Sequence, residues 1–436
     1  MKKALNKKIL KAHLESFLSS FAYKIILNPL FSGSATMILG SNSTNFLNYL
    51  YHLVMIRLLG PNGYGELASL ISIIGLIGVI PSSVSLVVIK YVSSAKDEGE
   101  VSSLVGYLKN KTLKVSILIF LMVLLISPFI NSFLHISKNV YLVFIAISFL
   151  FSLPSVLNRA ILQGLLKFKE MVLSVLVENS SKLFLGIILV YVGFGVSGAI
   201  VGFVLSIIIG WFLTTLFIKY KKSKQYNPDL KPMILFTIPV IIQAVSTTSL
   251  YSSDLILVKH FFSSYEAGLY ASISTLGKII FFATGPISAV MFPLVSKRLS
   301  EGANYRKIFM YSFLLTALFA GGLLFIYWLI PQQLISLLGG SSYIQAAYLL
   351  GWFGLFISFF TLSSLLINFN LSLGKTKVVI FPLIAAIAQI IMIWLYHQTL
   401  FIIVLISIII TALLLVVLLI YSTYGNRFNF NNSPLI

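Results

Sequence analysis

The 436-residue sequence is 58% hydrophobic and only 10% charged, whereas a soluble domain carries about 25% charged residues. This composition indicates an integral membrane protein and excludes an ordinary soluble enzyme. The chain contains no cysteine, which excludes disulfides, thiol catalysis and cysteine-ligated metals. Its formal net charge of +20 would also suit a nucleic-acid-binding protein, so the positions of the basic residues must decide between the two.

Residues 1–28 form a basic segment without the features of a secretory signal. Lys11, His13 and Glu15 interrupt any apolar stretch there. Four apolar residues recur at the spacing of one helix face: Leu10, Leu14, Phe17 and Phe21. The pattern predicts a basic amphipathic helix on the cytoplasmic face of a membrane. A disordered basic tail is the alternative.

The rest of the chain predicts an all-α membrane protein, because a span needs about 20 mostly apolar residues. Twelve stretches qualify: 33–57, 66–92, 112–134, 139–163, 170–193, 195–219, 232–258, 267–294, 308–330, 344–368, 376–396 and 399–421. All connections are short, and no catalytic domain is appended. The Gly-Lys-Thr run at 374–376 is no phosphate-binding loop, because Phe369 stands where the first glycine belongs. The sequence therefore predicts a protein that is not an enzyme and holds no metal or cofactor.

The basic residues lie almost entirely on one side of these spans. The N-terminus, alternate connections and the C-terminus hold 26 of the 31 lysines and arginines. The opposite connections hold only Arg57, Lys138 and Lys259, and Lys182 and Lys278 fall inside spans. The positive-inside rule then places both termini in the cytoplasm. The charge is a topology signal of a multi-pass cytoplasmic-membrane protein, and nucleic acid is not an expected partner.

Polar residues occupy one face of the first span. Four of them follow at steps of four, three and four positions: Ser41, Asn45, Asn48 and His52. On a helix of 3.6 residues per turn these steps form one stripe. Facing a wet cavity, the stripe could hydrogen-bond sugar hydroxyls along a glycan path. Hydrogen bonding between helices is the alternative.

Charged residues lie at mid-membrane depth in two spans. Glu178 and Lys182 are four residues apart in span 5, and Lys278 is in span 8. A charge at the bilayer centre costs about 2.5–3.5 kcal/mol even on the lenient insertion scale. We expect Lys182 and Lys278 to face each other across a central cavity and to bind a pyrophosphate. The alternative for Lys182 is simple neutralisation of Glu178.

Span 6 and the outer ends of spans 1 and 7 give further expectations. Small residues recur every four positions of span 6 and predict close helix packing: Gly198, Gly202, Ser206 and Gly210. Arg57 is a candidate phosphate contact or a gate with Asp254, and snorkelling to the headgroups is its alternative. Asp254 and Glu178 could couple transport to H⁺ or Na⁺, and Asp254 could instead pair with Lys259. Arg159 is an expected anchor at the basic side, and receipt of the substrate headgroup from the cytoplasmic leaflet is its alternative.

The two halves of the chain share a repeat. "LVMIRLLGPNGYGELASLISIIGLIG" (53–78) matches "LILVKHFFSSYEAGLYASISTLGKIIF" (255–281), with Gly65 aligned to Gly268 at an offset of 203. An offset of six spans preserves orientation, so the repeats are parallel and a substrate site between them is expected. The predicted organisation is the N-terminal segment 1–28, an N-lobe at 29–225 and a C-lobe at 226–436, each lobe with six helices around a central cavity.

Four stretches resemble one family of transporters. They are "RLLGPNGYGELASL" (57–70), "SSDLILVKHFFSSYEAGLYASIS" (252–274), "AILQGLLKFKEM" (160–171) and "MFPLVSKRLSEG" (291–302). The sequence resembles the polysaccharide exporters of the multidrug/oligosaccharidyl-lipid/polysaccharide (MOP) flippase superfamily, and the resemblance implies a MATE-like fold. It also implies a flippase for a polyprenyl-pyrophosphate-linked oligosaccharide, such as an O-antigen or teichoic acid precursor.

Partners that the resemblance implies are the lipid-linked glycan, membrane lipid, and glycosyltransferases or a polymerase of the same pathway. Two alternatives stay open. A multidrug or cation exporter of the same superfamily predicts an acidic, aromatic cavity. A non-transporting scaffold of a glycan assembly complex predicts no use for Lys278.

Overall fold

The computed structural model describes residues 29–94, 98–218 and 231–424. The predicted N-terminal amphipathic helix, most of the segment between the two repeats, and Arg427 lie outside the described residues. We call 29–218 the first half of the described chain and 231–424 the second half.

The described residues form thirteen α-helices, joined in places by single turns of other helix types. The helices are α1 Pro29–Ser94, α2 Glu98–Leu134, α3 Val140–Gly164, α4 Phe168–Leu189, α5 Gly195–Phe217, α6 Lys231–Phe261, α7 Ser264–Gly277, α8 Ile279–Ser300, α9 Arg306–Leu329, α10 Pro331–Gly339, α11 Ala347–Ser372, α12 Ile380–Leu395 and α13 Leu400–Tyr424. The observed fold is the predicted all-α membrane architecture.

Ten helical stretches of the described chain are long and apolar enough to cross a membrane. Two of them, of 47 and 50 residues, are about twice the length that one crossing needs. The first is interrupted at Gly60, whose φ of 64° is not helical. The second is interrupted at Gly193 and Gly195, with φ of 103° and 53°. Divided at these glycines, the ten stretches become twelve, and each overlaps one predicted span, although the stretch Gly99–Leu134 begins well before the predicted residue 112.

Close helix packing along span 6 is confirmed. A methyl group on Gly198 would lie 2.8 Å from the carbonyl carbon of Leu189, and one on Gly202 would lie 2.7 Å from the backbone nitrogen of Gly186. These contacts are between the backbones of α4 and α5, which only glycine permits at such a distance. The missing side chains therefore bring two helices of the first half into direct backbone contact.

Helix α1 connects the two halves. It packs against α3, α4 and α5 of the first half and against α6 and α7 of the second. The tightest point joins the two repeat-related glycines, since a methyl group on Gly65 would lie 2.6 Å from the backbone nitrogen of Gly268. Equivalent residues that touch each other are what a two-fold axis between parallel repeats produces. We call the end of the bundle that holds Gly60 and Ser263 the Gly60 end. By charge, it is the side predicted to face outward.

Candidate central cavity

A cavity of about 450 Å³ lies between the two halves. Both segments of α1 line it from the first half, and α6, α7 and α8 line it from the second. Its size falls within the range of small-molecule sites, about 300–1,000 Å³. The predicted position of a substrate site, between two repeats, agrees with this location.

Lys278 contributes a cation to the cavity lining. It lies at the junction where α7 ends and α8 begins, and its ammonium nitrogen lies 5.4 Å from the centre of the Tyr251 ring. Among the described residues no carboxylate lies within 4 Å of Lys278. The charge of Lys278 therefore faces an aromatic ring and the cavity, and it is not neutralised by a salt bridge.

Lys182 does not line the cavity directly, which differs from the prediction that it faces Lys278 across open space. Its buried ammonium group donates a hydrogen bond to Asn48 Oδ1 and lies 5.0 Å from the centre of the Tyr51 ring. His52, which does line the cavity, is within electrostatic range of both lysines. Lys182 thus lies behind the amide of Asn48 and strengthens the positive potential of the same wall.

The predicted polar stripe is present with one change. Asn45, Asn48 and His52 line the cavity, and Asn42 joins them. Ser41 does not line it, since its hydroxyl donates to Met37 O at 2.6 Å and borders a small cleft toward α4. The cavity-facing residues advance mainly in steps of three, so the stripe drifts around the helix, and Ser41 falls outside it.

Two buried hydroxyl groups of the cavity wall have no protein partner. Neither Tyr49 Oη nor Ser274 Oγ is hydrogen-bonded to another group among the described residues. Buried hydroxyls are nearly always paired, by protein or by an ordered molecule. Sequence reasoning missed both, because a tyrosine and a serine on an apolar helix carry no pattern that separates them from core residues.

At the Gly60 end, the cavity is bounded by a hydrogen-bond chain between the halves. His52 Nδ1 and Tyr64 Oη lie 3.2 Å apart, and Tyr64 Oη and Thr275 Oγ1 lie 2.6 Å apart. The contact of Gly65 with Gly268 follows directly behind this chain. The cavity is therefore closed at the Gly60 end.

Arg57 lies outside the cavity, contrary to its expected phosphate contact. Its guanidinium donates to the carbonyls of Leu337 and of Leu338, the latter at 3.2 Å, near the C-terminal end of α10. A cation at a helix C-terminus is stabilised by the helix dipole. Arg57 joins the first half to the second here. It does not pair with Asp254, so the expected gate between these two residues is not formed.

Lys259 and Asp254 do not pair with each other either. Lys259 is buried and donates to Ser264 Oγ at 2.8 Å and to His135 O at 3.4 Å. Asp254 is fully buried and accepts hydrogen bonds from Tyr270 Oη at 2.7 Å and from its neighbouring backbone N–H at 2.8 Å. Asp254 is thus a carboxylate held by neutral donors, with no salt bridge among the described residues.

A further buried acid was not singled out from the sequence. Glu66 accepts hydrogen bonds from the backbone N–H and the hydroxyl of Ser137, at 2.6 and 3.0 Å. It lies within electrostatic range of Lys259. These interactions lie at the Gly60 end, where the hydrogen bonds to Ser137 tie the connection between α2 and α3 to α1.

Glu178 pairs with Arg159, so the alternative for Lys182, a salt bridge with Glu178, is not formed. The two charged groups lie 2.6 Å apart, and Arg159 Nε also donates to Ser174 Oγ at 3.1 Å. Arg159 is therefore more than the anchor predicted at the basic side. The pair borders a second cavity of about 320 Å³ within the first half, which adjoins the central one at Gly75 and Val79.

No group of three His, Asp or Glu residues in the described ranges could hold a metal ion. The carboxylates Asp254 and Glu178 are each engaged by other protein groups and do not line the central cavity. Fold and cavity together define a multi-pass membrane protein with a polar cavity between its two halves.

Solved structures share this fold. A multidrug resistance MATE family transporter of the MOP superfamily in an inward-facing conformation matches with a TM-score of 0.71 and 13% identity, over 88% of this chain and 96% of that one. The lipid II flippase MurJ, in an inward closed conformation, matches with a TM-score of 0.68 and 17% identity, over 89% and 87%. A MOP superfamily transporter from Pyrococcus furiosus matches with a TM-score of 0.62 and 16% identity, over 90% and 94%.

The family follows from the sequence match. Residues 54–348 match the family model described as polysaccharide biosynthesis protein. The chain belongs to this family, and it shares its fold with transporters of the MOP superfamily. A Haemophilus influenzae protein of the Lsg locus is 27% identical over 195 residues, which are 41% of this chain and 46% of that protein. The match thus spans less than half of that relative's length.

Proposed function

We propose that the chain moves a polyprenyl-pyrophosphate-linked oligosaccharide from the inner to the outer leaflet of the cytoplasmic membrane by alternating access. One observation carries the proposal. Among the described residues, the cavity lining combines the ammonium group of Lys278 with amides and hydroxyls, and it includes no carboxylate. A pyrophosphate joined to a sugar has the complementary chemistry, because it places negative charge beside hydroxyl groups.

The pyrophosphate binds at Lys278 in this proposal. A phosphate needs donors that carry positive charge, and an ammonium group serves as a compact point charge. Lys278 has no salt bridge to give up before it binds, since no carboxylate of the described chain lies within 4 Å. Lys182, behind Asn48, adds positive potential from the opposite half.

The glycan follows the amide wall. Asn45 and His52 lie on the same side of the cavity as Asn48, whose carbonyl oxygen already accepts from Lys182. Amide groups both donate and accept hydrogen bonds, as sugar hydroxyls do. The polyprenyl tail stays in the bilayer.

Closure of the Gly60 end supports alternating access. The Gly65–Gly268 contact and the link from Tyr64 to Thr275 join the halves there. With the lysine-rich side in the cytoplasm, this state receives substrate from the inner leaflet. Transport then requires the seam at the Gly60 end to open.

The rival function is export of a drug or organic cation, which MATE transporters of the same fold suggest. For the Pyrococcus furiosus transporter, reverse polarity of the binding pocket suggests a different function. Pocket polarity is therefore a sensible discriminator on this fold. A cation exporter needs negative charge in its cavity, and the lining around Lys278 offers none among the described residues.

Flipping of a fluorescent polyprenyl-pyrophosphate oligosaccharide in proteoliposomes tests the proposal. Wild type is expected to flip the probe. Lys278→Ala is expected to reduce the rate by about tenfold or more, since a hydrogen bond to a charged group contributes about 1.5–3 kcal/mol. Lys182→Ala should reduce it less, because Lys182 acts through Asn48.

The matched control is Lys138→Ala, which removes an exposed lysine of the loop between α2 and α3. It is expected to transport at the wild-type rate. A wild type that exports organic cations and flips no lipid-linked glycan would establish the drug-exporter function instead. Flipping at the wild-type rate by Lys278→Ala would reject the assigned phosphate site. Transport of neither probe by the wild type is the result that a scaffold role predicts.

A further inference from the structure

The lining of the central cavity carries very little charge. Lys278 is the one charged residue among the described residues that line it. Lys182 donates to Asn48 Oδ1 and is buried behind it, so it does not present a second ammonium group to the cavity. If Lys278 binds the pyrophosphate, as the proposed function holds, no described cation of the lining is left for another acidic group.

Neutral hydrogen-bonding groups, in contrast, are numerous in the cavity lining. Asn42 and Asn45 line the cavity with exposed amides, and two further lining residues, Tyr49 and Ser274, have buried hydroxyl groups without a protein partner in the described chain. Amides donate and accept, and hydroxyls do both as well. A ligand that enters the cavity therefore meets exposed neutral donors and acceptors at Asn42 and Asn45, which suit a ligand with neutral hydroxyl or amide groups.

Lining residues of both halves share the cavity with Lys278. Ser274 lies one helical turn before Lys278, and its backbone carbonyl accepts from the backbone N–H of Lys278 at 3.0 Å. Asn45 lies one turn before Asn48, the residue that holds Lys182. The ligand portion adjoining the phosphate therefore meets unpaired neutral groups of both halves.

We infer that the sugar entering this cavity beside the pyrophosphate is uncharged and that the cavity discriminates against a uronate at that position. The inference rests on the proposed function and narrows its substrate class. A neutral sugar can pair with the exposed amides of Asn42 and Asn45 through its own hydroxyl or acetamido groups. A carboxylate there would be desolvated without a cation, which is costly.

Two fluorescent polyprenyl-pyrophosphate disaccharides that differ only in the first sugar, glucose or glucuronate, test the inference in proteoliposomes. Wild type is expected to flip the glucose probe about tenfold or more faster than the glucuronate probe. Asn45→Lys places a cation in the cavity wall. It is expected to narrow this ratio by about tenfold, mainly by raising the rate of the glucuronate probe.

Ser41→Lys is the matched control, because Ser41 lies one turn away on the same helix and borders a different cleft. It should leave the ratio of the two rates unchanged. Equal flipping of both probes by wild type would overturn this inference and leave the proposed function standing. Flipping of neither probe would overturn the proposed function, and this inference with it.

Discussion

Replacing Gly268 by valine is expected to lower the transport rate by about two orders of magnitude while the chain still folds. A methyl group on Gly268 would lie 1.9 Å from the carbonyl oxygen of Pro61, a backbone atom that cannot move aside like a side chain. Overpacking typically costs about 1–3 kcal/mol. At about 3 kcal/mol, the population of the state closed at the Gly60 end falls about a hundredfold. The nearest atoms to the added group all belong to the other half, so each half keeps its own packing.

Distances between spin labels measure this effect directly. The chain has no cysteine, so cysteines introduced at exposed Asn62 and Ser342 label the two halves without background. In lipid nanodiscs, the doubly labelled protein that keeps Gly268 should show a population with a short distance between the two labels. Gly268→Val should shift it to longer distances, and the flipping assay should show the parallel loss of transport.

Gly321→Val is the matched control, since a methyl group on Gly321 meets no atom within 4 Å. It should change neither the distances nor the flipping rate. Gly65→Val approaches the same seam from the first half and should reproduce the effect of Gly268→Val. Unaltered transport by Gly268→Val would show that the contact seen here is not required in the transport cycle.

The repeat and the spans could be predicted because both follow from apolar run length and local order. A run of about 20 apolar residues admits few other structures, so the breaks at Gly60 and Gly193 could be anticipated from the connections alone. The alignment of Gly65 with Gly268 also placed two close-contact positions in register. Sequence alignment related them by an offset. Only the fold reveals that they touch.

Partner choice among buried charges could not be predicted in the same way. Glu178 has Lys182 one turn away on its own helix, yet its partner is Arg159 on another helix. The reason is space: a methyl group on Gly210 would lie 2.2 Å from Glu178 Oε2 and 3.0 Å from Arg159 Nη2. A glycine on a third helix thus makes room for the pair. Spacing along a single helix carries no information about such a three-helix arrangement.

Side-chain reach explains the other difference at the site. Arg57 was placed correctly at the end of its span, but its long side chain extends to the carbonyls at the end of α10. That short helix lies some 280 residues further along the chain. The C-terminal end of a helix stabilises a cation from any part of the chain that lies close to it. The sequence around Arg57 does not predict which helix end its guanidinium contacts.

Replacing Glu178 by glutamine is expected to destabilise the protein by about 3–5 kcal/mol, because it leaves Arg159 without its partner. The pair is only slightly exposed, at 16% and 19% of the two side chains. In detergent, this loss should appear as a lower melting temperature and a smaller folded fraction in gel filtration. Glu301→Gln, which breaks the exposed pair with Lys297, is the control and should have little effect, as surface pairs contribute little.

The double variant Glu178→Gln/Arg159→Met separates pairing from transport. Removing both charges of a buried pair is often neutral, so most of the lost stability should return. Gly210 still provides the space that the two side chains need. A double variant as unstable as Glu178→Gln alone would mean that Ser174 and the cavity wall, rather than the ion pair, hold this region together.

The same variant then decides between the two acids proposed for ion coupling. Glu178 already has a cation at 2.6 Å, so H⁺ or Na⁺ would have to displace Arg159. The hydrogen bonds to Asp254 come from neutral donors, and Lys278 lies within electrostatic range without forming a salt bridge, so the carboxylate can take up an ion without breaking one. We therefore expect the double variant to transport with the wild-type dependence on an imposed H⁺ or Na⁺ gradient, and Asp254→Asn to transport without that dependence. The opposite assignment, with gradient dependence lost in the folded double variant and kept in Asp254→Asn, would place coupling in the first half beside the second cavity.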